Sequence, residues 1–310
     1  MSTYAAYYNN SQVRMESSSG GLFTLIAERF DVTYGVAMTD DCYGCEFIRV
    51  EKNLERLRGS KYLQARVGDT FKHVKKDLLD HKRVLFSGTG CQINGLVMFL
   101  GKEYPNLFLV DIICHGVPSP KLWREYIEYQ EKSLGKIRKI NFRDKTEGWL
   151  DFGMMENAHF SSMHTDPFMQ MFLRNYCLRP SCYECHAKEI KISDITIADF
   201  WGIQDVAPEI NDNKGISLVI TRTSKGQDIF EKIKEMLIYK EVAYEEGVRC
   251  NTAEYLSANK PKLRKSFFVD LNRLSFDTMI KKYASSITTP KWKIILKKYK
   301  NYIKKILRRS

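Results

Sequence analysis

The clearest hydrophobic pattern in the chain is a pair of apolar runs separated by one helical segment. Residues 83–87 (RVLFS) and 107–113 (LFLVDII) are apolar, are bounded by Gly or Pro, and predict two buried strands. The intervening QINGLVMFLGK predicts a short helix. A strand–helix–strand crossover makes the two strands parallel, so their carboxyl ends emerge at the same edge of one sheet. Open parallel sheets bind ligands at that edge.

Further segments predict that this sheet is larger. VTYGVAM and CEFIRV flank a polar turn and are candidate strands, and ITIADFWG (residues 195–202) and ISLVIT (residues 216–221) are apolar and rich in β-branched residues. INFRDKTEGW predicts a strand followed by a polar turn, and LFTLIAERF has the periodicity of a helix. We therefore expect an α/β fold in which a mixed or mainly parallel sheet is flanked by helices.

The charge is concentrated at one end of the chain. The 310 residues carry a formal net charge of +12, and residues 259–310 contain 16 Lys and Arg against two acids. Because the first 258 residues are nearly balanced, a basic surface that reads nucleic acid is not predicted. In the tail, apolar residues recur at helical spacing among the cations and predict a basic amphipathic helix that begins near Pro290. Its apolar positions are Trp292, Ile295, Leu296, Tyr299, Ile303, Ile306 and Leu307.

The predicted location follows from this tail and from the rest of the sequence. The amino-terminal MSTYAAYYNNSQVR lacks the apolar core of a signal peptide, and no apolar run approaches the roughly 18 residues of a membrane span. We therefore expect a cytoplasmic protein. The tail helix either docks on the protein's own core or attaches reversibly to the anionic inner face of the membrane. In a reducing compartment, eight cysteines favour metal or redox chemistry over disulfides.

Four of the eight cysteines stand where one shared site is expected. Cys91 and Cys114 each follow one of the two parallel strands, and Cys182 and Cys185 form a Cys-x-x-Cys pair. A loop that carries this pair beside the sheet edge would complete four thiolates, the usual complement of a 4Fe-4S cluster. The alternatives are buried core thiols, a redox dithiol or half of a zinc site, and Cys177 could replace one of the ligands.

Five other side chains are weaker candidates. Cys42 and Cys45 form a second short-spaced pair in a polar turn, and Cys250 has no partner and is expected to be structural. His115 follows a candidate ligand and could carry protons, although a histidine at a strand end is more often only hydrogen-bonded. Asp199 lies within an apolar run, where it would be buried and paired, and is a catalytic candidate of low specificity.

Three segments could contact a ligand through small or polar residues. Ser17–Gly21 precedes a helix, an arrangement that suits a phosphate but is more typical of an ordinary cap. RGSKYLQA places Lys61 and Tyr62 in a Gly-Ser loop, where they would meet an anionic ligand or face solvent. The turn at residues 88–90 (GTG) lets the backbone approach a ligand closely, and it is not the dinucleotide-binding G-x-G-x-x-G.

Taken together, nine motifs give the sequence a family resemblance. Their order over roughly residues 5 to 235 resembles the beta subunit family of coenzyme F420 hydrogenases and dehydrogenases, whose bacterial members often accompany polysaccharide-synthesis genes. The motifs are SSSGGLFTLIAE, YGVAM, LRGSKYLQA, VLFSGTGCQINGL, DIICHGVPSPKLW, INFRDKTEGW, CLRPSCYEC, ITIADFWGI and KGISLVIT.

The resemblance implies an oxidoreductase with FAD and a 4Fe-4S cluster. The flavin would exchange a hydride with a deazaflavin or another acceptor, and the cluster would pass single electrons. The implied cluster ligands are Cys91, Cys114, Cys182 and Cys185. The residues implied around FAD are Ser19, Gly20, Gly21, Ser60, Lys61, Thr89 and Gln92. One motif departs from the family, because its usual Thr-Pro-Cys-Gln is Thr-Gly-Cys-Gln at residues 89–92.

The resemblance also divides the chain and implies a partner. Residues 1–135 would form an α/β flavin-binding part, residues 136–258 a part that carries the Cys-x-x-Cys cluster loop, and residues 259–310 the basic helical tail. Many relatives begin with a ferredoxin-like module, which this sequence does not contain, so electrons are expected from a separate ferredoxin-like or other donor protein. The competing hypothesis is a zinc-stabilised, non-enzymatic partner of glycan-assembly enzymes.

Overall fold

Twelve strands run through residues 1–284, the part of the chain that this computed structural model describes. They are β1 (Ser2–Tyr8), β2 (Val32–Met38), β3 (Cys45–Val50), β4 (Ala65–Arg66), β5 (Val84–Thr89), β6 (Leu107–Ile112), β7 (Ile140–Asp144), β8 (Gly153–Glu156), β9 (His159–Ser162), β10 (Ile195–Asp199), β11 (Ser217–Thr221) and β12 (Leu237–Val242).

Eleven α-helices connect or cover these strands within the same residues. They are α1 (Ser11–Glu16), α2 (Leu22–Ala27), α3 (Thr70–Leu79), α4 (Gly90–Leu100), α5 (Pro120–Leu134), α6 (Pro167–Leu173), α7 (Ile203–Val206), α8 (Ser224–Ile233), α9 (Tyr244–Val248), α10 (Arg264–Leu271) and α11 (Phe276–Met279). Among residues 1–284 no helix is both long and apolar enough to cross a membrane. The predicted basic helix after Pro290 lies outside the described residues.

Nine of the strands form one mixed sheet in the order β12-β1-β11-β10-β6-β5-β2-β3-β4. Its centre is parallel, because β10, β6, β5 and β2 pair with their neighbours in the same direction. The pairs that flank this centre, β2 with β3 and β10 with β11, are antiparallel. The α/β fold with a mixed sheet is therefore confirmed. Strands from both sides of residue 135 contribute to this sheet, and the boundaries at residues 135 and 258 stay predictions.

Alternating side chains of the central strands bury the sheet on both faces. Leu85 and Phe108 pair in register and belong to the core beneath α2 and α8. Phe86 and Leu109 also pair and lie in the core beneath α3 and α4. Because successive strand residues point to opposite faces, these two apolar runs supply both cores at once.

The register of β5 and β6 fixes what lies at the ligand-binding edge. Thr89 pairs with Ile112 at the carboxyl ends of the two strands. Cys91 and Cys114 each follow two residues later, so parallel pairing brings them to the same edge. Helix α4 begins at Gly90, two residues earlier than the sequence predicts, and Cys91 therefore lies in its first turn.

The pattern analysis missed several elements. Strand β1 lies inside the large sheet between β11 and β12, although the sequence analysis assigned it no structure. Strands β8 and β9 were also not predicted, and they form a separate antiparallel sheet with β7, the strand that the motif INFRDKTEGW does predict. The β8–β9 hairpin turns through Asn157, whose φ of 54° is the left-handed conformation that such short turns require. Its strands lack a clear apolar alternation, which explains why they were overlooked.

Candidate functional site

A cavity of about 390 Å³ opens at the carboxyl edge of β5, β6 and β10. We call it the large cavity. Its volume lies within the roughly 300–1,000 Å³ that small-molecule and cofactor sites occupy. Apolar and aromatic walls come from side chains such as Val36, Leu63, Tyr62, Ile113 and Trp201. Six of the seven residues expected around FAD line it, namely Ser19, Gly21, Ser60, Lys61, Thr89 and Gln92.

Two loops that line the large cavity are hydrogen-bonded to each other. The backbone N–H of Ser60 donates to Ser18 Oγ at 2.7 Å, and the two hydroxyl oxygens are 2.8 Å apart. The neighbouring Ser19 Oγ lies 2.8 Å from Ser217 Oγ at the start of β11. The loop of residues 17–21 is therefore anchored both to the sheet and to the loop around Ser60, and its hydroxyl groups are held at the cavity wall.

The two glycines of this loop have backbone roles. A Cβ atom on Gly20 would lie 2.4 Å from the carbonyl oxygen of Ala6, so only glycine allows the loop to pass β1 this closely. Gly20, which was expected near FAD, does not line the large cavity. Gly21 has a φ of 84° and precedes α2, which is only six residues long. Because α2 is short, the conformation of this loop, and not the dipole of a long helix, determines this part of the cavity wall.

The ammonium group of Lys61 is used inside its own loop. It donates to the carbonyl oxygens of Arg56 at 3.0 Å and Arg58 at 2.7 Å. Burial lowers the pKa of Lys61 to about 7. Lys61 therefore holds the loop closed in addition to lining the cavity, and an anion nearby would favour its charged form.

Thr89 and Gln92 shape the start of α4. The backbone N–H of Thr89 donates to Gln92 Oε1 at 2.9 Å, and Thr89 Oγ1 lies 3.2 Å from Cys91 Sγ. The hydrogen bond from the Thr89 N–H to the Gln92 side chain caps the amino terminus of α4 and explains why the helix begins before Gln92. Both side chains line the large cavity, and the cap sets the position of Cys91 beside it.

A second, smaller cavity adjoins the first and is lined by all four candidate cluster ligands, Cys91, Cys114, Cys182 and Cys185. We call it the cysteine cavity. The Cys-x-x-Cys loop reaches the sheet edge because the N–H of Arg179 donates to the carbonyl of Val117 at 2.8 Å, just beyond β6. The N–H of Val117 also lies 3.4 Å from Cys182 Sγ. Predicted ligands from three distant segments thus face one space.

Burial favours the protonated form of two thiols of this cavity, those of Cys114 and Cys182. It raises the pKa of Cys114 to about 12 and also raises the pKa of Cys182, and the neighbouring thiols add to both effects. The Lys188 ammonium, which donates to the Cys114 carbonyl at 2.7 Å, opposes the shift at Cys114. Metal binding removes such protons, because thiolates are the ligands. The donor set fits a bound iron–sulfur cluster.

The distances between the donor atoms distinguish a site for a single metal ion from a site for an iron–sulfur cluster. No three His, Cys, Asp or Glu side chains within residues 1–284 are arranged around a position for one metal ion. Zinc requires its sulfur ligands about 2.3 Å from a single centre. In a 4Fe-4S cluster each thiolate binds a different iron, so the four sulfurs stand farther apart.

The other cysteines lie away from this cavity. Cys177, the possible replacement ligand, is fully buried in a hydrophobic core, as are Cys42 and Cys45. None of the three lines the cysteine cavity. Cys250, which the sequence analysis treated as a structural residue, is exposed, and its Sγ lies against Gly202.

The two catalytic candidates lie in different cavities. His115 lines the cysteine cavity, its Nε2 is buried without a hydrogen-bond partner among the described residues, and burial lowers its pKa. Asp199 lines the large cavity, where both of its oxygens accept hydrogen bonds from Arg143 at 2.9 Å and Oδ1 also accepts one from Trp149 Nε1 at 2.7 Å. Such a saturated carboxylate suits positioning better than proton transfer.

Two buried cations that support the site were not predicted. Arg143, which holds Asp199, packs 3.7 Å from the ring centre of Phe152. Lys145 is 7% exposed, and its ammonium donates to three backbone carbonyls, including that of Ser19 at 3.0 Å. Both residues belong to the motif INFRDKTEGW. Their charge, in a segment that otherwise predicts a strand, was the sequence feature that could have identified them.

Comparison with known proteins gives a family match and similarities to solved structures. The family model for the carboxyl-terminal part of the coenzyme F420 hydrogenase/dehydrogenase beta subunit matches residues 81–246, which include all four candidate cluster cysteines. A chain of the F420-reducing NiFe hydrogenase complex from Methanosarcina barkeri, solved in a xenon derivatization study, is similar with a TM-score of 0.58. The likeness covers 82% of this chain and 87% of that chain at 16% identity, which shows the fold alone. No curated protein gives a significant match.

Proposed function

The chain belongs to the coenzyme F420 hydrogenase/dehydrogenase beta subunit family, and we propose that it is an oxidoreductase that contains FAD and a 4Fe-4S cluster. The observation that carries the proposal is the contact between the two cavities, since Thr89, Cys91, Ile112 and Val117 line both. A flavin in the large cavity would stand beside a cluster in the cysteine cavity. Flavins transfer either a hydride or single electrons, whereas clusters transfer only single electrons. A flavin beside a cluster would therefore link hydride transfer to single-electron transfer.

The residues around the large cavity would bind and orient the flavin. The hydroxyl groups of Ser19 and Ser60 and the ammonium of Lys61 suit its phosphate-bearing end. The apolar and aromatic walls suit its ring system and exclude water from it. Arg143 would contribute indirectly, because its ion pair with Asp199 fixes one wall of the cavity.

The residues around the cysteine cavity would bind and tune the cluster. The four thiolates supply the ligands. The Val117 N–H donates toward Cys182 Sγ, and hydrogen bonds to cluster sulfurs influence the reduction potential. The Lys188 ammonium offsets part of the negative charge that the thiolates bring into this partly buried space.

The partner and pathway are finer parts of the same proposal. A separate ferredoxin-like or other carrier protein would exchange electrons with the cluster. A role in polysaccharide synthesis, and attachment of the basic tail to the inner membrane face, stay predictions that rest on the resemblance and on the tail sequence. The zinc-stabilised partner protein remains the competing hypothesis.

Anaerobic purification followed by visible spectroscopy tests the cofactor assignment. We expect the absorption of an oxidised flavin, the broad absorption of an iron–sulfur cluster, and about four irons and four sulfides per chain after reconstitution. Addition of dithionite should bleach both absorptions. A colourless protein that contains stoichiometric zinc and no flavin would contradict the proposal and support the zinc hypothesis.

A further inference from the structure

One side of α10 is exposed and carries mostly cations. The helix buries Phe267 and Leu271 in a hydrophobic core, so the side chains on its opposite side face solvent. Leu263 is 49% exposed and Val269 is 43% exposed, so apolar side chains lie among the cations. We call this surface the basic face, and it consists of Lys262, Leu263, Lys265, Val269 and Arg273, all of which are exposed.

The acid nearest in sequence to the basic face is held by other groups. Asp270 is the only acid in α10, and it forms an ion pair with Lys282 at 2.5 Å and accepts a hydrogen bond from the Tyr283 hydroxyl at 2.5 Å. Among residues 1–284, no acidic side chain forms an ion pair with Lys262 or Lys265. The positive charge of the basic face therefore remains available to a partner.

The rest of the chain continues from a point beside this helix. The Tyr283 hydroxyl contacts Asp270, and the Tyr283 ring centre lies 4.9 Å from that of Phe267. Residues 285–310 follow, and their sequence contains nine Lys or Arg and no Asp or Glu. The basic face thus adjoins the point from which the most basic segment of the sequence extends.

We propose that the basic face lies against an anionic lipid surface. Its lysine and arginine side chains would bind the lipid headgroups, and Leu263 and Val269 would enter the boundary between headgroups and acyl chains. A nucleic acid would contact the cations and gain nothing from these two apolar side chains. The inference does not depend on the proposed cofactors, and it extends the predicted membrane attachment from the tail to a described part of the fold.

This contact would bring the redox site close to the lipid. On the inner side of α10, the Arg264 guanidinium donates to the Leu178 carbonyl at 2.9 Å and to the Tyr183 hydroxyl at 3.1 Å. Tyr183 lies between the two cysteines of the Cys-x-x-Cys pair. Helix α10 therefore connects the basic face directly to the loop that carries Cys182 and Cys185.

Sedimentation of the full chain with lipid vesicles tests the inference. Vesicles of phosphatidylcholine and phosphatidylglycerol are compared with vesicles of phosphatidylcholine alone, at a salt concentration of about 0.15 M. Lys262→Glu/Lys265→Glu reverses the charge of the basic face, whereas Leu263→Ser/Val269→Ser removes its apolar side chains and keeps its charge. Thermal melting followed by circular dichroism verifies that each variant is folded.

A matched control separates the basic face from net charge. Lys76→Glu/Lys232→Glu changes the net charge by the same amount, and both lysines are exposed, one on α3 and one on α8. Its binding to anionic vesicles should stay within about threefold of that of the unsubstituted chain, because these lysines lie outside the basic face.

We expect the unsubstituted chain to bind the anionic vesicles and not the neutral ones. Each cation near an anionic leaflet strengthens binding by about fivefold, so the charge-reversal variant should bind at least about tenfold more weakly. The serine variant should bind about threefold to tenfold more weakly, because it buries less apolar surface. Unchanged binding by the charge-reversal variant, or an equal loss in the control, would overturn the inference. Full binding by the serine variant would also overturn it and would assign the basic face to a polyanion such as a nucleic acid or an acidic protein.

Discussion

Ser18 and Ser60 are joined by hydrogen bonds across 42 residues of sequence, with the Ser60 N–H 2.7 Å and the Ser60 hydroxyl oxygen 2.8 Å from Ser18 Oγ. Each belongs to a loop that the sequence predicts to contact FAD. The link means that the two loops form one wall of the large cavity, so a change in either loop should alter the binding of the flavin by the other.

Ser18→Ala should therefore weaken FAD binding although Ser18 is not among the residues predicted to contact FAD. Loss of a hydrogen bond of ordinary strength corresponds to a decrease in affinity of about threefold to tenfold. Titration of FAD into the flavin-free protein measures the dissociation constant. Ser133→Ala, on the exposed face of α5, is the control. An unchanged dissociation constant in Ser18→Ala would show that the link does not support the flavin site.

Two variants of Lys61 separate the contribution of its loop-closing hydrogen bonds to FAD binding from the contribution of its charge. Lys61→Met removes the hydrogen bonds to the carbonyls of Arg56 and Arg58, and Lys61→Glu also places a negative charge beside the expected pyrophosphate. We expect both variants to bind FAD more weakly and Lys61→Glu to be the weaker of the two. If FAD affinity and occupancy are unchanged in both, Lys61 does not belong to the site.

A buried acid cluster gives the protein a predicted pH dependence. Tyr126 Oη lies within hydrogen-bond distance of both Glu156 and Asp166, and one hydroxyl proton cannot serve two carboxylates. Burial raises the pKa of Asp166 to about 7. Between pH 4 and 7 the folded protein therefore holds a proton on Asp166 that the unfolded chain has released. As a result, Asp166 lowers the free energy of unfolding as the pH rises from 4 to 7.

Asp166→Asn should remove this fall while it keeps the hydrogen bond that Oδ1 accepts from the Met169 N–H at 2.7 Å. The difference in melting temperature between variant and wild type, followed by circular dichroism, should thus favour the variant increasingly from pH 4 to pH 7 and then level off. A difference that is independent of pH would mean that Asp166 does not carry the proton.

The ion pair between Arg143 and Asp199 should matter most when one partner is removed. Arg143 is 3% exposed, and its loss leaves the Asp199 carboxylate largely buried without its counter-ion. Arg143→Met should lower the free energy of unfolding by about 3–5 kcal/mol, and the double variant Arg143→Met/Asp199→Asn should recover part of that loss. Chemical denaturation measures both values, and a double variant no more stable than the single one would contradict this account.

Local sequence patterns predicted the part of the site that is formed by elements close together in the sequence. The two apolar runs and the helix between them fix strands β5 and β6, and parallel pairing then places Cys91 and Cys114 at one edge. No local pattern shows that the Cys-x-x-Cys loop reaches Val117, or that Lys145 reaches the carbonyl of Ser19, because both contacts join segments far apart in sequence. The expectation that four thiolates share one sheet edge, which the family resemblance also implied, placed the Cys-x-x-Cys loop near this edge, and neither source predicted the contact of Lys145.

The central claim is that Cys91, Cys114, Cys182 and Cys185 hold one cluster. Iron and sulfide content per chain after anaerobic reconstitution tests it most directly, in four single Cys→Ala variants and in Cys177→Ala and Cys250→Ala as controls. The account predicts that each of the four variants loses the cluster and that both controls keep about four irons per chain. Full iron and sulfide in all four variants, or a loss of the cluster in Cys177→Ala as complete as theirs, would contradict it.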